Sequence, residues 1–486
     1  MADRPPNVLI ITGDQWRRNS LGFMQQDPVF TPHFDRFASQ GTVCERAYSC
    51  SPLCTPARAA FLTGRHPWGI DMMYNWQRCP VDEPNLATAA AAAGYDTALI
   101  GKWHLDDHEP DDPHGDSWNC MTPPGERRLG FRFWHSNGCI HDHWRPDYLD
   151  TAGHLVRGSG WQVDHETDVA IDYIRNDHSQ RPADRPWLLW LSWAPPHNGA
   201  PGPEHDPDDP RQQDAYRYFA PREFEQAYED PRLPCWHPDT DIDAYRRQAP
   251  GHFGCISSMD RNFGRLMQVL EQQGLENDTI VLVTADHGEM FGTHGRWMKD
   301  IWYEPSIGVP FMIRWPGRIP AGLRSRAIVN TPDVMPTLLS YMGVACPAGR
   351  DGINRAQALC QADPADDHIA FLSFCTGAPP PHKTRYEFPI EKGMYWRGLR
   401  DRRYTYACVD QRLEAVWYDP ARRDHFPQQA TRVVFDNEQD PWQQQPIYPG
   451  AGHDQVIDQL HQQLSAWLDD LGDPFLREYW RPQRST

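Results

Sequence analysis

No two cysteines in this chain stand in C-x-x-C spacing, and its 12 cysteines are scattered over 486 residues. That excludes a zinc-finger pattern and a small disulfide framework, and the thiols are expected to be mostly reduced and buried. No apolar run approaches the ~20 residues of a membrane span. The opening Met-Ala-Asp-Arg-Pro-Pro lacks a basic region followed by an apolar core, so no membrane association and a cytoplasmic location are expected. Positive charge is also scarce. The 47 Lys and Arg face 66 Asp and Glu, a formal charge of −19, which argues against nucleic acid or an anionic membrane as partner. An anionic substrate would need a local cationic site, because the global field repels it.

Apolar and aromatic material is abundant. Hydrophobic residues make up 39% of the chain, with 20 Trp, 18 Tyr and 19 Phe, enough for a packed interior. The length exceeds the roughly 250–300 residues at which one core stops growing, so a large domain with a smaller companion is expected. Four short apolar runs, 7–12, 95–100, 187–193 and 279–284, read as strands buried on both faces. Each ends in residues able to hold a cation or an oxyanion: Asp14, then Lys102 and His104, then His197, then Asp286 and His287. Open parallel sheets bind ligands at the carboxyl ends of their strands. If the four runs are neighbours in one sheet, these six residues meet at one edge.

Between the first two runs stands Cys54-Thr-Pro-Ala-Arg58, followed by Ala59, Ala60, Phe61 and Leu62. Proline suits a first helical turn, so Cys54 is expected at a helix N-terminus, where free N–H groups and the dipole favour an anionic nucleophile or a bound oxyanion. Arg58, four residues on, shares its face. Taken alone, the pattern also fits a buried cysteine opening an ordinary helix. It does not fit a thiolate phosphatase, because three intervening residues cannot form a phosphate-cradling loop.

Cys54-Thr-Pro-Ala-Arg58, with Leu62-Thr-Gly-Arg65, resembles the signature of the formylglycine-dependent sulfatases of the alkaline phosphatase-like superfamily. In that family the cysteine of C-x-P-x-R is oxidised to an aldehyde. Cys50 also has a Pro two residues on, but Cys54 stands where the Arg would be needed. Gly101-Lys102-Trp103-His104-Leu105 matches the sulfatase form, where phosphonate-specialised relatives tend to carry hydroxyl residues. Asp14-Gln15-Trp16-Arg17 instead looks like the phosphonate monoester hydrolase branch and its close arylsulfatase relatives, and Asp286-His287, where many sulfatases have Asp-Asn, resembles a form prominent among the phosphonate hydrolases.

The resemblance extends over essentially the whole chain and implies an α/β/α sandwich with a mostly parallel sheet in residues 1–365. Residues 366–486 are then expected to hold a small antiparallel sheet, a terminal helix and a tail. It implies that Asp14, Gln15, position 54, Asp286 and His287 hold one divalent ion, with Ca²⁺ ahead of Mn²⁺ or Mg²⁺; the neutral Gln15 carbonyl removes one negative charge from the set. Arg58 would orient the hydrated aldehyde, and Lys102, Lys299 and His197 would neutralise the transferring group. His197 or Lys299 is the candidate general acid, and His104 the base that starts collapse of the diol. Asn75, 21 residues beyond Cys54, matches the spacing of an active-site Asn in the phosphonate hydrolases. The implied reaction is hydrolysis of aryl or other small organic sulfate esters, with phosphonate monoesters or phosphodiesters as the alternative. A formylglycine-generating or other sulfatase-maturing enzyme is an implied partner, and a homo-oligomer is left open.

The remaining stretches carry less. Residues 106–150 read as a solvated, loop-rich insertion whose Trp118, Trp134 and Trp144 could wall a pocket; the spacings of His108, His114, His141 and His143 fit no metal-binding pattern. Residues 230–248 read as polar loop and 256–270 as a helix. Short strands are expected at 368–374, 393–399, 403–408, 415–418 and 432–435, and Val456 to Leu471 form one apolar helical stripe.

Overall fold

The computed structural model describes residues 5–107, 120–214, 216–232, 241–365, 367–375, 395–409, 432–450 and 452–479. Ten strands make the main sheet: β1 (Asn7–Asp14), β2 (Thr42–Tyr48), β3 (Asp96–Lys102), β4 (Phe133–Asn137), β5 (Asp147–Leu149), β6 (Leu155–Arg157), β7 (Trp187–Pro196), β8 (Thr279–Ala285), β9 (Phe311–Arg314) and β10 (Leu323–Asn330). Their spatial order is β10-β2-β9-β8-β1-β7-β3-β4-β5-β6. The four apolar runs therefore do lie side by side as β8-β1-β7-β3. All three pairings are parallel, with Val8 opposite both Ile280 and Leu188, and Ala98 opposite Leu189.

Every residue of these four strands is buried, so both faces of the sheet must be covered. The α-helices longer than four residues are α1 (Pro32–Gln40), α2 (Cys54–Thr63), α3 (Leu86–Ala92), α4 (Gln162–Arg175), α5 (Ile242–Gln272), α6 (Val334–Met342) and α7 (Asp454–Leu471) among the described residues. Phe61 of α2 packs on Trp190 of β7, ring centroids 5.1 Å apart, and Trp190 shares a face with Thr12, which accepts its indole N–H at 2.9 Å. Gly13 points to the opposite face, since strand residues alternate, and a side chain there would meet Met259 of α5 at 2.8 Å. Thus α2 and α5 sandwich the sheet. Phe34 of α1 stacks on Phe263 of α5 at 4.7 Å and extends that layer.

A second, antiparallel sheet follows in the order β11 (Ala370–Cys375), β12 (Tyr395–Arg400), β13 (Tyr404–Val409) and β14 (Arg432–Asp436). Leu372, Phe374, Trp396 and Phe435 pack on Tyr48, Trp302, Ile307 and Ile328 of the larger unit. The opposite face takes the α7 stripe Ile457, Leu460, Leu464 and Leu468. A buried ionic link adds to this contact: Glu304 accepts from Arg18 at 2.6 Å and from Arg400 of β12 at 2.6 Å.

Two sequence expectations change. The part of 106–150 that is described is not solvated loop. β4 extends the parallel sheet beside β3, and Trp134 and Trp144 are buried in it. The second correction concerns residues 241–248, which open a 31-residue helix that runs through Pro250 to Gln272. The overlooked signal was Asp241, whose carboxylate caps Ala244 N–H at 3.0 Å. Residues 415–418, together with His108, His114, Trp118 and the tail beyond 479, lie outside the described residues.

The link at Glu304 makes a stability prediction. Burial opposes its charge, yet Arg400 and Arg18 hold the carboxyl down at about 2. The folded state therefore prefers the ionised form. Its contribution is complete above the ordinary Glu range, roughly pH 4–4.5, and is lost as pH falls towards 2. Glu304→Ala leaves two buried guanidinium groups without their acceptor and should cost ~3–5 kcal/mol, read by urea unfolding at neutral pH. A loss below about 1 kcal/mol would show that the link is energetically idle.

Candidate active site

Helix α2 begins at Cys54, and its N-cap Leu53 offers no side-chain acceptor. The cap comes from elsewhere: Asn75 Oδ1 accepts Thr55 N–H at 3.0 Å. Thr55 Oγ1 in turn donates to the His104 carbonyl at 2.9 Å. The first turn thus pins two loops, 75–76 and 103–105, to the residue it presents. Trp76, with a left-handed backbone at φ 65°, sets its ring edge-on to His104 at 5.9 Å. Trp76 is therefore an aromatic wall at this end of the site.

Four donors converge. The Cys54 sulfur lies 3.2 Å from His287 Nε2 and 3.6 Å from Asp14 Oδ1. His287 Nε2 is 3.6 Å from Asp14 Oδ1 and 3.8 Å from Asp286 Oδ1. All four residues are buried. His287 Nδ1 faces the Gly288 carbonyl at 3.0 Å, so Nδ1 carries the hydrogen and Nε2 turns its lone pair into the cluster. Two carboxylates and one imidazole lone pair make a hard-to-borderline donor set that fits a divalent cation. Close backbone approach shapes the turn, since a side chain at Gly288 would meet the Pro305 carbonyl at 2.0 Å.

Gln15 lies beside this quartet. Its Nε2 donates to Glu289 and, at 3.2 Å, to Tyr218 Oη, while its Oε1 accepts from Lys299. Glu289 thereby decides which end of the carboxamide faces inward. Burial pushes the Glu289 carboxyl up to about 7.

Arg58 connects the strand ends. Its Nε bonds Asp286 Oδ2 at 2.9 Å, its Nη1 bonds Ser192 Oγ at 2.7 Å and the Lys102 carbonyl at 3.1 Å, and its Nη2 lies 3.5 Å from Asp14 Oδ2. Lys102 pairs with the same Asp14 oxygen. Burial opposes the charge on Asp14, but Lys102, His197 and Arg58 hold its carboxyl well below the usual range. Burial and then Asp14 push the Cys54 thiol up to about 12, so the unmodified side chain is a neutral thiol.

The two acid-base candidates sit on opposite sides. His197 Nδ1 faces the Asn198 carbonyl at 2.9 Å, and its Nε2 faces Lys299 Nζ at 3.2 Å. The ring therefore accepts from the ammonium, and the pair shares one transferable proton. Burial, then Lys299, keep His197 well below its ordinary value. His104 is buried with the Cys139 thiol beside its ring; burial lowers it, and Cys139 partly offsets that. Every candidate named from the sequence lies in or directly against this cluster, Asn75 as the cap of α2.

Sequence reasoning missed Ser192, Glu289, Tyr218 and Cys139. Glu289 was within sight, three residues beyond Asp286. Burial raises the Cys139 thiol, yet His104 and Lys102 outweigh it and bring it to about 6; nothing in its neighbourhood in the chain announces that setting.

A family model described as Sulfatase matches residues 6–344, well over half of the chain. An ulvan-active sulfatase of Formosa agariphila is 29% identical over 98% of this chain and 83% of its own length. An endo-4-O-sulfatase of Bacteroides thetaiotaomicron is 28% identical over 97% of this chain and 94% of its own. Among solved structures, a protein from the Bacteroides thetaiotaomicron locus for glycosaminoglycan metabolism superposes with TM-score 0.82 at 26% identity, covering 98% of both chains. A phosphonate monoester hydrolase of Silicibacter pomeroyi shares the fold at TM-score 0.65 and 22% identity, over 99% of both chains.

Asp286 touches the cluster through Oδ1 and Arg58 through Oδ2. Asp286→Ala is therefore expected to abolish divalent-ion retention, measured by elemental analysis of the purified protein, together with turnover. Retention of both would show that the ion sits elsewhere.

Proposed function

The chain belongs to the sulfatase family, and from that premise we propose that it hydrolyses sulfate monoesters of carbohydrates at the Cys54 cluster. The observation that carries the reading is the ring of buried cationic and acid-base groups, Arg58, Lys102, Lys299, His197 and His104, closed around Cys54, Asp14, Asp286 and His287. It supplies the local positive charge that an acidic protein needs to hold a sulfate. The carbohydrate preference draws on two of the relatives that align with nearly the whole chain, whose names refer to ulvan and to 4-O-sulfate. An arylsulfatase of Clostridium perfringens, 27% identical, aligns with 72%.

Asp14, Asp286 and His287, with Gln15 through its carbonyl, would hold a divalent ion, Ca²⁺ by preference. Such an ion supplies Lewis acidity and lowers the pKa of an attacking hydroxyl. Position 54 offers that hydroxyl after a maturing enzyme has oxidised its cysteine to formylglycine and the aldehyde has hydrated. Lys102 and Lys299 compensate the charge of the sulfuryl oxygens, and the Lys299–His197 pair gives its proton to the leaving alcohol. His104, held neutral by burial beside the Cys139 thiol, then takes a proton from the second hydroxyl, and the aldehyde re-forms as sulfate leaves.

A second reading, phosphonate monoesters as substrate, is favoured by Asp14-Gln15 and Asp286-His287. Kinetics on a sulfated oligosaccharide, an aryl sulfate and an aryl phosphonate monoester decide between them, and a higher kcat/KM on the phosphonate would overturn the first reading. Mass spectrometry of active enzyme should show a loss of about 18 Da at Cys54, the thiol-to-aldehyde change, and full activity of Cys54→Ala would sink the mechanism. Lys102→Ala is expected to lower kcat/KM on sulfates at least about tenfold more than on phosphonates, a differential of about 1.4 kcal/mol, because a phosphonate presents one oxygen fewer.

A further inference from the structure

Behind His197 lies a buried chain of polar side chains that the reaction above does not use. Tyr148 Oη bonds Glu166 Oε1 at 3.1 Å, the Gln162 carboxamide bonds the same oxygen at 2.8 Å, and the far end of that carboxamide meets His143 Nδ1 at 2.9 Å. His143 Nε2 ends the chain on the His197 carbonyl at 3.0 Å. Gln162, Glu166 and His143 are all at most 1% exposed, out of reach of bulk solvent. Gln162 and Glu166 stand one turn apart on α4, and Gly101 leaves room for the carboxyl: a side chain there would meet Glu166 Oε2 at 2.9 Å.

The hydrogen count restricts this chain severely. With the Gln162 oxygen turned towards His143, both ring nitrogens would face acceptors, Gln162 Oε1 and the His197 carbonyl. For both contacts to be hydrogen bonds His143 would then have to be a cation in a dry interior, at a cost of several kcal/mol. Lys102 and His141 further oppose a cation at His143. A carboxamide's oxygen and nitrogen are interchangeable in shape. Turned over, the amide lets every group be neutral and every hydrogen bond be made.

We propose that Gln162 gives its N–H to His143 and takes a hydrogen from a protonated Glu166, so that one neutral relay from Tyr148 to the His197 carbonyl positions the leaving-group histidine. Burial agrees at both ends, pushing Glu166 up to about 8 and His143 down to about 4. His143 is then fixed as the Nε2–H tautomer. Its hydrogen bond holds the backbone of His197, while Asn198 and Lys299 hold the ring. Glu166, Gln162 and His143 are positioning residues, and their place in turnover rests on the assignment of His197 and Lys299 to the leaving group.

Two measurements test the relay, one independent of activity. Difference infrared spectroscopy of wild type against Glu166→Gln, at mildly acidic pH, should show a protonated-carboxyl band that the variant lacks; its absence from the wild type overturns the proposal. Gln162→Leu leaves His143 Nδ1 without a donor. It should lower kcat/KM at least about tenfold on a sulfated sugar, a poor leaving group that needs a proton, and less than about threefold on 4-nitrophenyl sulfate, which does not. Equal losses on both would mean that the relay only supports packing and would overturn its positioning role. If the wild type turns over no sulfate ester, the proposed function fails while the infrared result still stands or falls by itself.

Discussion

One guanidinium holds the site together. Arg58 reaches the ends of all four central strands: Asp14 of β1, the Lys102 carbonyl of β3, Ser192 of β7 and Asp286 just past β8. Only a planar fork with five N–H donors can serve partners in such different directions; an ammonium would satisfy some and leave others buried and bare. Because Arg58 sits one helical turn from Cys54, the element that carries the nucleophile is the same one that sets the spacing of the groups around it. The helix and the sheet edge cannot shift relative to each other without exposing a buried charge.

Proton positions are set by a simple local device. His287 and His197 each give Nδ1–H to the carbonyl of the next residue, which commits Nε2 to the site without any distant partner. One lone pair then faces a cation site and the other faces Lys299. His104 lacks that device, and the group beside its ring is the Cys139 thiol. Three histidines at the ends of three strand exits thus differ in role because of what lies behind each ring, not because of the ring itself.

The layout was legible in the sequence where chemistry is local. An apolar run stopped by Asp, by Lys-Trp-His or by Asp-His announces both a buried strand and what stands at its end, and four such runs sufficed to infer a common edge. What was illegible depends on partners far apart in the chain. Ser192 matters only because Arg58 reaches it, and Glu289 only because it turns the Gln15 carboxamide. Gln162 and Glu166 carry no signal in the sequence until His143 is placed beside them. Pro250 hid the first turns of α5, since proline inside a helix is the usual reason to end one, and Trp134 looked like loop because its strand is short and surrounded by polar residues.

The order of strands in space differs from their order in time. β1 is the first strand made, yet its two neighbours are β7 and β8, and Val8 pairs with Ile280, 272 residues later. At translation rates of about 5–20 residues per second, β1 waits roughly 9–36 s for β7 and roughly 14–54 s for β8. Until β7 is made both of its hydrogen-bonding edges are open, and one stays open until β8 follows, the state in which chains pair with the wrong neighbours. The arrangement that gathers chemistry from residue 14 to residue 299 at one edge therefore makes the nascent chain dependent on protection, and its yield in a cell should be governed by what shields β1 during synthesis rather than by the stability of the finished fold.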